Sequence, residues 1–143
     1  MEWMGAKHSA GAPRTLNVGA ANNMTSNERQ AILRAVPKLF SRWELTEQQS
    51  FALLGVSRET WRKIRAGHCD EPLTEEQALR AGALMGIHSA LRTIFADPWC
   101  YEWIQRSNSA PLFDGQPAIR AMIAGGLPAI IHVRKSLEAE QTW

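Results

Sequence analysis

The segment LGVSRETWRKIRAG, residues 54–67, gathers Arg58, Arg62, Lys63 and Arg65 with one acid, Glu59, behind Ser57 and between two glycines. On a helix, Arg58, Arg62 and Arg65 stand at i, i+4 and i+7 and so share a face, with Lys63 beside them. Such a face offers charged donors to phosphates, and a guanidinium fork matches the edge of a guanine. Nothing here activates a nucleophile, so the chemistry is binding, not bond making. Ser57 is placed to cap the helix and leave its N-terminus open to a phosphate.

A basic helix reads DNA only if something aims it. Gly55 tolerates the positive φ of a tight turn between two helices. Phe51, Leu54, Val56, Trp61 and Ile64 are the expected core of the pair. The pattern predicts a helix-turn-helix whose second helix enters the major groove, with Ser57, Arg58, Glu59, Arg62, Lys63 and Arg65 as candidate contacts. Phe51 stands where such motifs usually carry alanine, and Trp61 is bulky for its slot. The competing reading is a solvated amphipathic helix of a bundle. Four basic charges against one acidic, at the right distance from the turn, weigh against that.

The surrounding elements read as helices throughout. Thr25/Glu28, Thr46/Gln49 and Thr74/Gln77 have capping-box spacing. Apolar positions from Ile32 to Trp43 keep helical spacing, and Pro37 predicts a break there, with a short second helix beyond it. Helices are expected from Thr46 to Leu54 and from Ser57 to Gly67. A long one follows from Thr74 to about Ala96, carrying a stripe of Ala78, Gly82, Gly86 and Ser89. Two glycines in a helix imply close approach of another helix, from this chain or a second copy. Asp97-Pro98 opens a further helix bearing Trp99, Trp103 and Ile104. The last two expected helices are Pro117–Ala124, closed by Gly125-Gly126, and Pro128 to about Glu140, with Ile130, Ile131, Val133 and Leu137 inward. The expected fold class is all-α.

The chain has 143 residues and a net charge of only +2. A general field for polyanions is therefore absent, and nucleic-acid affinity must come from a local patch. The hydrophobic fraction of 45% and six tryptophans indicate a globular protein. Cys69 and Cys100 form no CxxC, which suits a reduced, cytoplasmic chain. No run reaches membrane-span length. Residues 1–23 read as a tail, with Trp3, Leu16 and Val18 as its possible anchors. His68-Cys69-Asp70 is adjacent rather than convergent and reads as loop, without metal. Neither a cofactor motif nor a catalytic constellation is found. Trp99, Trp103, Phe113 and Met122 read as core. Trp143, the last residue, reads either as a frayed end or as an aromatic anchor.

The segment WIQRSNSAPLFDGQPAIRAMIAGG, residues 103–126, resembles the toxin-binding domain of the Xre/MbcA/ParS antitoxin family. Trp103-Ile104, Asn108, Phe113, Gly115, Pro117 and Gly125 carry the likeness, and an Xre-like helix-turn-helix in front completes it over roughly residues 24–137. Behind the tail at 1–23, the resemblance implies a DNA-binding domain at 24–70 and a helical toxin-binding domain at 71–143. It implies a type II antitoxin that blocks an NAD-degrading RES-domain toxin and represses its own operon. Phe113, Arg120, His132, Arg134, Glu138 and Trp143 are the candidate toxin contacts, with the last three residues covering the toxin's cleft. Operator DNA and a homodimer within a toxin–antitoxin assembly are the other expected partners. A stand-alone regulator with a dimerising or ligand-sensing C-terminal half is the alternative.

Overall fold

The computed structural model describes residues 25–141, and these are all-α. The segment before them and Thr142-Trp143 lie outside the described residues, and with them the expected roles of Trp3, Leu16, Val18 and Trp143. Six helices follow in order: α1 (Ser26–Arg42), α2 (Glu47–Leu54), α3 (Arg58–Ala66), α4 (Glu75–Ile94), α5 (Trp99–Glu102) and α6 (Ala118–Gln141). A 3₁₀ turn, Trp103–Gln105, extends α5.

The starts are fixed chemically. Thr25, Thr46 and Thr74 each accept a hydrogen bond from the backbone N–H three residues on. Glu28, Gln49 and Gln77 each accept one in turn from the cap's own N–H through a side-chain oxygen. All three capping boxes expected from spacing are thus formed.

The break expected at Pro37 is absent, and α1 is one helix through it. A proline there forfeits one backbone hydrogen bond and crowds the preceding turn, at a cost of about 3 kcal/mol. The residues on both sides compensate by burial. Val36, Leu39, Phe40 and Trp43 are all buried, so ending the helix at Pro37 would expose the apolar face that follows it.

α4 is the hub. It packs along α6 over its length and also meets α1, α2 and α5. One buried cluster runs from Leu33 on α1 through Leu53, Trp61, Leu84, Ile87 and Leu91 to Ile130 and Leu137 on α6. The small-residue stripe on α4 admits a group from this chain: the Arg134 guanidinium of α6 occupies the space that a β-carbon at Gly86 would need. Arg134 also donates to Glu138 at 2.8 Å. α6 bends at Gly126, whose φ of 69° and ψ of −151° are not helical. The two expected helices are therefore two limbs, joined at the glycine that was expected to close the first.

Two core expectations, Trp99 and Ile131, need correcting. Trp99, on the single-turn helix α5, is 48% exposed, with the Arg106 guanidinium over its indole, 4.1 Å from the ring centroid. Phe51, Val56 and Trp103 are half-buried and pack against the buried cluster. Ile131 is also half-buried, facing outward with Leu127 and His132. Phe113 and Met122 are buried as expected, as is Cys100.

α4 also carries a titrating group. His88 packs on Tyr101 with ring centroids 5.3 Å apart, and its Nδ1 is buried without a hydrogen-bond partner among the described residues. Burial lowers its pKa first, and the positive charges of Arg92 and Arg42 lower it further. Folding thus favours the neutral form of His88, whereas the unfolded chain protonates it near 6.5. Stability should be intact above that value and fall as pH drops from there toward the folded pKa. His88→Phe should flatten urea midpoints measured between pH 7 and pH 5. An unchanged slope would mean that His88 does not set it.

Candidate nucleic-acid interface

The turn between α2 and α3 forms as its glycine requires. Gly55 has φ 79°, and its N–H bonds to the Phe51 carbonyl at 2.9 Å. Ser57 caps α3, its Oγ accepting from the Thr60 N–H at 3.0 Å. Gly67, with φ 80°, ends the helix.

Burial then orients α3. Trp61 and Ile64 are 2% and 4% exposed. Trp61 stacks on Phe40 of α1 at 5.5 Å. With those two residues inward, Arg58, Glu59, Arg62, Lys63 and Arg65 are all exposed on the outer surface. The candidate contacts read from the sequence are therefore brought onto one accessible helix.

Their charge is not as free as the sequence suggests. Glu47, in the first turn of α2, receives two hydrogen bonds from Arg62, at 2.8 Å from Nε and 3.2 Å from an Nη. Arg58 Nε lies 3.7 Å from the same carboxylate. The hydrogen bond from Arg62, followed by the fields of Arg62, Arg58 and Arg65, holds the Glu47 pKa below the usual value. The same bond raises that of Arg62. Lys63 and Arg65 have no ion pair among the described residues.

Phe51 has a use at its unusual position. The Arg58 guanidinium lies over its ring, 5.4 Å from the centroid, so the aromatic that replaces alanine is a platform for a basic side chain.

Sequence reasoning missed Glu47 because the pairing spans fifteen residues and depends on how the helices cross. The usable signal was an acid immediately after an N-cap, on the helix that precedes a basic one. Arg80 of α4 was missed as well. It donates to the Leu53 and Ala52 carbonyls, at 3.2 and 3.4 Å, and so satisfies acceptors at the end of α2. Gln77 donates to the Gly55 carbonyl at 3.0 Å. A β-carbon on Gly55 would come within 3.0 Å of Arg80 Nε. The turn is thus braced from the C-terminal half of the chain.

The candidate toxin contacts do not form one site. Phe113 is buried, edge-on to Trp103 at 5.7 Å. Both line a groove of roughly 580 Å³ between the 108–113 loop and the second limb of α6, with Asn108, Val133, Leu137 and Glu140. Arg120 is exposed and donates to Gln116. His132 is exposed on a shallow face with Leu127, Pro128, Ile131 and Lys135. Arg134 and Glu138, expected to be free for a partner, are instead paired with each other, and Arg134 is seated against Gly86. The reason is their i, i+4 spacing and the cleft that the glycine leaves. Trp143 lies outside the described residues.

Among the described residues no cluster of three or more His, Cys, Asp or Glu could hold a metal ion, and no helix is long and apolar enough to cross a membrane. Comparison with family models, with curated proteins and with solved structures gives no match for this chain.

Proposed function

We propose that this chain is a DNA-binding antitoxin. Its helix-turn-helix reads an operator, and its C-terminal half binds and occludes a RES-domain toxin. The observation that carries the DNA part is the exposed basic face of α3, capped by Ser57 and aimed by the left-handed turn at Gly55. A recognition helix needs this combination of a fixed angle, an open N-terminus and several cations on its outer side. Dimerisation on paired half-sites would give such a small reader an adequate footprint.

The toxin part rests on the resemblance and on one feature that supports it. Trp103, Asn108 and Phe113, three of the residues that carry the likeness, line the same groove. Glu140 lies at its edge, three positions before Trp143 in the sequence. The tail Gln141-Thr142-Trp143 would reach from there into the toxin's cleft, bringing a planar ring and a carboxylate to a site built for a nucleotide.

The test is co-expression with the neighbouring gene, scoring growth rescue and complex formation separately. Rescue by the full chain supports the antitoxin reading. DNA binding without any rescue would leave the stand-alone regulator. A chain ending at Ala139 that still binds but no longer rescues would assign occlusion to the tail. Full rescue by that chain would move occlusion to the body around Phe113 and Arg120.

A further inference from the structure

We propose that Glu47 is a specificity-determining residue of the DNA interface, one that holds back Arg62 and Arg58 from phosphates unless a cognate base edge is present. The inference rests on the reading of α3 as a DNA-recognition helix.

The geometry is that of a clamp. Arg62 gives Glu47 both its Nε and an Nη, at 2.8 and 3.2 Å, which fixes the plane of the guanidinium. Arg58 is held from two sides, by the carboxylate at 3.7 Å and by the Phe51 ring. Glu47 itself is in the first turn of α2, where the aligned backbone dipoles favour an anion. The side chain remains 30% exposed, so the acid sits at the interface and not beneath it.

Two consequences follow for a duplex. A non-cognate sequence offers only phosphates, and these compete with Glu47 for the same guanidinium nitrogens. Winning Arg62 strands an uncompensated carboxylate beside a polyanion. Binding therefore proceeds with fewer released counterions than four cations would give. A cognate sequence offers in addition a base edge to guanidinium nitrogens left outside the clamp, and a fork already held in one plane loses less freedom on meeting it. Glu47 thus weakens non-cognate binding more than cognate binding. A positioning role of this kind is distinct from stability, because the capping box of α2 is made by Thr46 and Gln49 and does not involve Glu47.

The experiment uses the full chain, a duplex selected by it from a random library, and a scrambled duplex of equal length. Glu47→Gln keeps the shape and removes the charge. Glu75→Gln, an exposed acid on α4, changes net charge equally and serves as control. Glu47→Gln should raise affinity for the scrambled duplex about tenfold and steepen its log–log salt dependence by about 0.9. It should change affinity for the selected duplex much less, so that the ratio falls about tenfold. Equal effects of the two variants, or an unchanged ratio, would overturn the role of Glu47. If the native chain selects no duplex at all, the DNA reading itself fails, and this inference with it.

Discussion

Replacing Trp61 with alanine is expected to cost about 3–5 kcal/mol of folding stability, the usual range for emptying a buried aromatic site. Trp61 is 2% exposed and stacks on Phe40 at 5.5 Å, and Phe40 in turn stacks on Trp43 at 6.0 Å. These rings join the outer helix α3 to α1. Apart from Ile64, no other residue of α3 is buried, so the helix has little else to hold it. Its neighbours cannot collapse into the void without tilting α3 and misdirecting its basic face. DNA affinity should therefore fall in the same variant, at temperatures where most of the protein remains folded. Trp61→Phe keeps a ring in the stack and should lose a fraction of this. Lys63→Ala, on the exposed face, should stay within about 0.5 kcal/mol of the native protein. Urea denaturation gives the comparison. A Trp61→Ala midpoint equal to the native one would show that the aromatic stack does not anchor α3.

What the sequence conveyed follows from which interactions are local. Capping boxes act over three residues, so Thr25, Thr46 and Thr74 announce their helices directly. Gly55, Gly67 and Gly126 mark left-handed positions that other residues avoid, and all three have positive φ. The inward face of α3 follows from the spacing of Trp61 and Ile64. The rest depends on contacts between segments far apart in the chain. Pro37 reads locally as a stop, yet the burial of Leu39, Phe40 and Trp43 outweighs it. Arg80 reads as one more charge on a long helix, and only the fold brings it to the end of α2. Arg134 reads as an exposed cation until the gap at Gly86 is known. Glu47 shows the cost for function most clearly. Counting charges on α3 alone overstates the free positive charge, because the counter-ion is on another helix.

Converting Arg58, Arg62, Lys63 and Arg65 together to alanine is expected to abolish measurable operator binding while leaving the fold in place. All four are exposed, and the buried residues of α3, Trp61 and Ile64, are left in place, so the helix keeps its core anchors. Alanine is also the best helix former, which favours α3 further. On DNA the losses are of two kinds. A side chain that only neutralised a phosphate should make the log–log salt slope shallower by about 0.9. An arginine that read a base should cost about 5- to 150-fold in affinity for the selected duplex and relax the preference at one position. Arg62 and Arg58 carry a further consequence, because their removal leaves the Glu47 carboxylate uncompensated beside the phosphates. The triple variant Arg58→Ala, Arg62→Ala, Glu47→Gln should therefore bind scrambled DNA better than the double variant that retains Glu47. Titrations at several salt concentrations separate these contributions, with circular dichroism confirming the helix content. Normal binding by the folded quadruple variant would remove α3 from the interface, and the exposed basic helix would then be only a solvated face of the bundle.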